Sequence, residues 1–198
     1  DRVAETRVVA VHPTTHRVPS NLLRIYIEFS TPMQEDQARA HVRLLDDSGR
    51  VVRGAFLEMD QELWDSSHQR LTMLFDPGRV KRGIRSNLEM GAPLLEGHRY
   101  RVVVDSGWPD AKGAPLRAPF RHELIVGAFD SESPDPRKWV LTSPRNGTHD
   151  TLVVRFNEPL DHALAARTIG VVGMPGDARV LAGDTAWQFA PATPWPAS

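Results

Sequence analysis

Cysteine is absent from this 198-residue chain, which removes disulfides, thiolate metal sites and cysteine nucleophiles together. A surplus of charge is missing too. Twenty-four Lys and Arg stand against 25 Asp and Glu, giving a net charge of −1, so no sequence-wide basic field draws the chain to nucleic acid. Long hydrophobic runs are also lacking. The longest apolar stretches, such as Leu124-Ile-Val-Gly-Ala-Phe129, fall far short of the ~20 residues that span a bilayer. Serine nucleophile elbows, phosphate loops and dinucleotide fingerprints do not occur, so no enzyme reading has positive support.

What is present is alternation, turns and a repeat. Leu23, Ile25, Ile27 and Phe29 alternate with Arg24, Tyr26 and Glu28, and the stretches Leu71 to Phe75 and Arg99 to Val104 alternate in the same way. Each pattern gives a strand with one buried and one wet face. Turn signals separate them, among them Asp47-Ser-Gly49, Asp76-Pro-Gly78, Asp110-Ala-Lys-Gly113 and Asn146-Gly147, and 16 prolines argue against long helices. Only Gln34 to His41 and Asp161 to Thr168 read as helical, for one or two turns each.

The repeat sets the domain organisation. Ile25-Tyr-Ile-Glu-Phe29-Ser-Thr-Pro32-Met33 returns as Leu152-Val-Val-Arg-Phe156-Asn-Glu-Pro159-Leu160, 127 residues later, and the same spacing relates Ala38 to Ala165, Val42 to Ile169 and Gly49 to Gly176. Farther on, Leu71-Thr-Met-Leu-Phe75-Asp-Pro77 matches Thr185-Ala-Trp-Gln-Phe189-Ala-Pro191 at a spacing of 114, which implies a 13-residue insertion in the first copy. The polar, proline-bearing stretch from Asp130 to Lys138 reads as a linker. Residues 1–129 are therefore expected to form one β-sandwich and 139–198 a second.

The ordered set of apolar strand, Phe-Ser-x-Pro-Met, helical turn, strand ending at glycine, Leu-Thr-x-x-Phe-x-Pro, then Gly97-His-x-Tyr100-x-Val-x-Val and Asp110-x-x-Gly113, resembles the bacterial Ig-like domain of S-layer and other cell-envelope proteins. That resemblance implies an all-β fold of tandem immunoglobulin-like sandwiches with short helical turns. It also implies an extracytoplasmic setting, in the periplasm, on the cell surface or secreted. The opening Asp1 fits a processed secreted chain or a trimmed one. The family pattern has an acidic residue where this sequence has Gln34, whereas the second copy keeps Asp161.

The second copy stops after Pro191-Ala-Thr-Pro-Trp195, before the family's last two strands. Their loss is expected to expose Val154, Phe156, Val171 and Trp187 and leave strand edges unpaired. Either the chain continues elsewhere, or the gap is closed by the first copy or by self-association through strand addition.

Candidate chemistry is sparse. His122-Glu123-Leu-Ile-Val126 starts like a zinc-protease motif but lacks the second histidine and sits in a strand pattern that sends the two side chains to opposite faces. His12 and His16 flank Pro13 and read as a wet loop. Asp105 and Asp110 offer clustered oxygens, but their spacing matches no calcium loop, so turn chemistry is expected. No metal site and no cofactor are expected. A binding surface is sought in the long insertion, where Arg79, Lys81, Arg82 and Arg85 gather four cations, and at Trp108, which lies beside proline with Trp64 and Trp195 in similar settings. A solvated loop with local pairing to Glu89 or Glu96 is the plainer reading of the cations. Trp139 and Trp187 are expected to pack inside the second copy.

The resemblance therefore implies a non-catalytic spacer, scaffold or adhesion-type interaction module, with a protein or cell-wall polymer as its candidate partner. The alternative is an accessory ligand-binding region of a secreted enzyme, with carbohydrate as a candidate ligand.

Overall fold

The computed structural model describes residues 5–81, 83 and 85–197. It is mostly strand, with three four-stranded sheets and four short helices among the described residues. The chain divides into two compact units, Asp1–His12 with His16–Asp130, and Pro13–Thr15 with Ser131–Ser198.

The larger unit is a two-sheet sandwich. One sheet has the order β1 (Val8–His12), β3 (Arg24–Phe29), β6 (Arg70–Leu74), β5 (Leu63–Trp64). The other has the order β2 (Arg17–Pro19), β8 (Phe120–Gly127), β7 (Arg99–Val104), β4 (Val42–Leu45). All pairings are antiparallel except β2 with β8, which is parallel. Alternation decides the core: Ile25 and Ile27 from one sheet and Leu44, Val102, Val104 and Leu124 from the other are buried between the layers.

The smaller unit has one sheet, β9 (Val140–Thr142), β10 (Leu152–Arg155), β12 (Ala186–Pro191) and β11 (Gly176–Val180), in the order β11-β12-β10-β9. Its strands follow the same path as the first sheet of the larger unit. The backbone bond from Phe29 N to Gln69 O (2.8 Å) has a match from Phe156 N to Thr185 O (2.8 Å), and Met33 N to His68 O (3.0 Å) has a match from Leu160 N to Asp184 O (2.8 Å). The hairpin turns agree as well: His68 N bonds Asp65 O and Asp184 N bonds Leu181 O, both at 3.0 Å, with the uncommon positive φ of 54° at His68 and 55° at Asp184.

These bonds correct the sequence pairing of the later segments. Gln69 stands opposite Thr185 and His68 opposite Asp184, a spacing of 116 rather than 114, so the extra length in the larger unit is 11 residues at this point. The sequence lies two residues away because a slip of two keeps every inward side chain inward.

Each helix after the proline starts by a different device. Asp161 Oδ1 accepts from Leu164 N (2.9 Å) and caps α4 (His162–Thr168). Gln37 gives α1 (Ala38–His41) no side-chain cap; instead Glu62 reaches in and accepts from Ala38 N (2.6 Å) and Asp36 N (2.9 Å). The missing acid at Gln34 is thus replaced from another loop.

Beyond α4 the units diverge. Ile169–Val172 occupies the place of β4 by spacing but belongs to no strand. The exposure expected for Val154, Phe156 and Trp187 does not occur: all three are buried, with Trp139, Ile169, Met174 and Trp195 packed against their cluster, and Val171 is half-buried. Trp139 lies 4.8 Å from Phe156, ring centre to ring centre. What remains open are the two edge strands, β9 with all three residues exposed and β11 with four of its five exposed.

Candidate functional site

The larger unit carries a groove of about 720 Å³ between its edge strands β4 and β5, roofed by the segment 51–63. It forms because that segment must cross from one sheet to the other. Leu57 N bonds Leu74 O (2.8 Å) and Phe56 pairs with Phe75, their rings 5.1 Å apart, which pins the crossing but leaves a trough beside it. Val42, Leu44, Ala55 and Leu71 are buried around it, while Val51, Leu57, Met59 and Leu63 remain exposed at its mouth. Its rim mixes charges. Arg39 and Glu58 approach to 3.6 Å, and Glu62 is engaged by the two backbone donors above and by Trp64 Nε1 at 2.7 Å. An apolar floor with a polar rim suits an amphipathic or neutral ligand.

The residues singled out in the sequence do not gather here. Arg79 is buried, and its guanidinium is spent on carbonyl oxygens: Arg53 (2.7 Å), Gly54 (2.7 Å), Gly91 (2.9 Å) and Met90 (3.3 Å). Burial draws its pKa down from the ordinary arginine value, opposed by the carboxylate of Asp76. It ties α2 (Pro77–Val80) to the end of α3 (Arg85–Met90) and to the turn at Gly54, which makes it a structural brace where a ligand contact was expected. Arg85 pairs with Glu89 at 2.7 Å, and Lys81 is exposed. Arg82 lies outside the described residues.

Trp108 also departs from its expected role. It is fully buried, donates from Nε1 to Gln34 O (3.1 Å), and packs against Phe29 (5.2 Å), His41 (5.8 Å) and Trp64 (6.0 Å). A loop residue flanked by glycine and proline has become a core anchor. Trp64 and Trp195 are half-buried, Trp195 donating to Asp150 O at 2.7 Å. None of the three is an exposed stacking platform.

The other polar candidates have local work. Asp110 is buried and accepts from the Thr6 hydroxyl (2.6 Å) and from Lys112 N and Ala114 N (both 2.9 Å); the Thr6 bond leads in holding its carboxyl below the usual range. Asp105 bonds Gly107 N (2.8 Å). Asp46 closes its turn through Ser48 and Arg50, the Ser48 hydroxyl doing most to bring its pKa to about 2. His12 is buried on β1 with Nε2 3.3 Å from Glu28, whereas His16 is exposed and stacks on the buried His122 at 5.4 Å, so the expected wet setting holds for His16 and not for His12. The groove residues 51–63 escaped the sequence reading; the apolar Leu57, Met59 and Leu63 among acids were the available signal.

No protein-family model and no curated protein matches the chain. Solved structures do. The S-layer protein rSbsC(31-844) aligns over 88% of this chain and 20% of its own, at 13% identity and a TM-score of 0.40. Domains 1-6 of the surface layer protein SbsC align over 96% of this chain and 22% of theirs, at 12% identity and a TM-score of 0.41. CopC from Methylosinus trichosporium OB3b aligns over 65% of this chain and 99% of its own, at 13% identity and a TM-score of 0.38. The chain thus spans about a fifth of the length of the two S-layer structures.

Proposed function

We propose that this chain is a non-catalytic tandem of Ig-like β-sandwich modules, the second with a single sheet among the described residues, acting as a spacer or scaffold in an extracytoplasmic bacterial protein. One observation carries the reading: the same four-stranded sheet is laid down twice with matching backbone bonds at Phe29 and Phe156 and at Met33 and Leu160. Repeating a folded unit extends a chain by rigid steps without requiring reactive groups to converge. The ionisable candidates support it further, since Glu62, Arg79, Asp105 and Asp110 hold backbone in place.

Pulling the chain from its two ends tests the proposal. A spacer gives two separate unfolding steps, each releasing the length of its own unit at roughly 3.5 Å per residue. A single step, or none that resists force, sinks the reading.

The groove favours a second reading, an accessory ligand-binding region. A glycan screen addresses it: saturable binding that is lost in Leu57→Asp supports that role, and Trp108→Ala is unsuited to the purpose because Trp108 is core.

A further inference from the structure

The sheet β2-β8-β7-β4 shows the core one face and solvent the other. Along β7 the outward positions are Arg99, Arg101 and Val103; along β8 they include Arg121, Glu123 and Ile125. Register assembles them into a grid. Arg101 stands opposite Glu123, Val103 opposite Arg121 and Arg99 opposite Ile125, while Arg43 on β4 flanks Val103 and Arg17 on β2 flanks Ile125. Five arginines thus share one sheet face, and all five are exposed. Neighbours across such a face lie ~5 Å apart and neighbours along a strand ~7 Å apart.

The acids there are spread unevenly among the arginines of β7, β8 and β4. Glu123 faces Arg99 at 3.6 Å and Asp105 reaches Arg43 at 4.0 Å. Among the described residues no carboxylate lies within ion-pair range of Arg101 or Arg121. In a chain whose net charge is −1, this concentrates positive potential on one flat surface.

We propose that this face docks a linear polyanion with regularly spaced carboxylate, sulfate or phosphate groups, Arg101 and Arg121 making its principal contacts. Arginine suits that chemistry, because its planar fork meets an oxyanion with two parallel hydrogen bonds and stays charged at any working pH. The other outward positions decide against other occupants. No aromatic ring stands on the grid to stack a nucleobase. Its apolar members Leu45, Val103 and Ile125 are half-buried between the arginines and form no wedge for a lipid surface. The assignment is independent of the spacer reading, since a spacer without a ligand and a ligand-bearing face on some other kind of protein are both coherent.

The test is titration of the whole chain with heparin, polygalacturonate and inorganic polyphosphate, which present sulfate, carboxylate and phosphate in turn. At least one binds, and its affinity falls roughly tenfold or more between about 50 and 200 mM salt. The most tightly held of the three identifies the source of the anion. Arg101→Glu with Arg121→Glu lowers that affinity at least tenfold at low salt, whereas Arg85→Glu, in the helical insertion, leaves it unchanged. Arg101→Gln with Arg121→Gln, checked by near-ultraviolet circular dichroism, gives an intermediate loss and carries the test if charge reversal disturbs folding. Two outcomes overturn the proposal: none of the polymers binds, or the paired substitutions leave affinity intact.

Discussion

Near the start of each helical turn, one side chain reaches across to the hairpin that follows, and the two units do this with opposite signs. In the larger unit the acid is Glu35 and the base is His68, 3.0 Å apart. In the smaller unit the base is His162 and the acid is Asp184, 2.8 Å apart. The positions correspond by the same spacings, 127 and 116, that relate the backbone bonds. Surroundings differ more than geometry does. The side chains of Glu35 and His68 are 52% and 44% exposed, whereas those of His162 and Asp184 are 14% and 0% exposed. A fastening that is wet in one unit is buried in the other.

The cores explain why that matters. Among the described residues, 22 buried hydrophobic residues form the cluster of the larger unit and four form that of the smaller. The smaller unit has one sheet, and it buries its polar fastening where the larger unit leaves the corresponding pair in solvent. The comparison teaches that one backbone plan tolerates two balances of apolar and polar stabilisation.

The strongest way to break the comparison is to remove from the larger unit a residue with no counterpart in the smaller. Trp108 follows β7, in the part that the smaller unit lacks, and it joins Phe29, Trp64 and His41. Trp108→Ala should cost about 3–5 kcal/mol, the range for deleting a buried aromatic side chain, and leave hydrogen exchange in β10 and β12 unchanged. Denaturant unfolding with exchange read strand by strand measures both.

Next comes the buried pair. Asp184→Ala takes the carboxylate from both His162 and Thr14 N, which donates to its other oxygen (2.9 Å), and should destabilise the smaller unit by about 3 kcal/mol. Glu35→Ala, at the corresponding wet pair, should cost no more than about 1 kcal/mol. Amide exchange at Leu160, whose N–H bonds Asp184 O, reports the first, and exchange at Met33, bonded to His68 O, reports the second. Equal costs would show that burial does not distinguish the pairs.

A smaller effect is expected at Gly176, which opens β11. A Cβ there would run into Ala190 O and the Phe189 ring, so Gly176→Ala must push β11 off β12, at about 2 kcal/mol. Loss of protection confined to the β11–β12 ladder is the expected readout. Unchanged protection there would mean the strand shifts to accept the methyl at no cost.

Much of this plan was legible in the chain. Strands β3 and β10 announce themselves by alternation and by the Pro32 and Pro159 that follow, and the spacing of 127 carries over to the backbone bonds. The second spacing was legible only to within two residues, since hydrophobic pattern alone does not separate registers that differ by a full pleat. Trp108 and Arg79 were misplaced for a shared reason. Each is defined by a partner far away in sequence, Gln34 O for the indole and the carbonyls of Arg53 and Gly54 for the guanidinium, and local composition shows neither. The arginine face lay half in view: Arg99 and Arg101 alternate in plain sequence, but Arg121 joins them only through the register of β7 on β8.

The finest distinction between the units is the sign of the fastening pair, and a charge-swap cycle isolates it. Glu35→His combined with His68→Asp would write the smaller unit's order of signs into the larger one. Backbone geometry permits the change, because position 68 has φ of 54° and Asp184 already holds φ of 55°; aspartate and histidine are among the side chains that enter this region most readily. Each single substitution removes the attraction, Glu35→His facing His68 with another imidazole and His68→Asp facing Glu35 with another acid, and each should cost up to about 1 kcal/mol. The double substitution restores an acid opposite a base and should return stability to within about 0.5 kcal/mol of the starting chain. A double variant as unstable as the sum of the two singles would mean that the direction of the pair, and not merely its presence, is fixed by the neighbouring backbone. Coupling measured by denaturant midpoints at low and at high salt separates a charge effect, which salt screens, from a hydrogen bond, which it leaves in place.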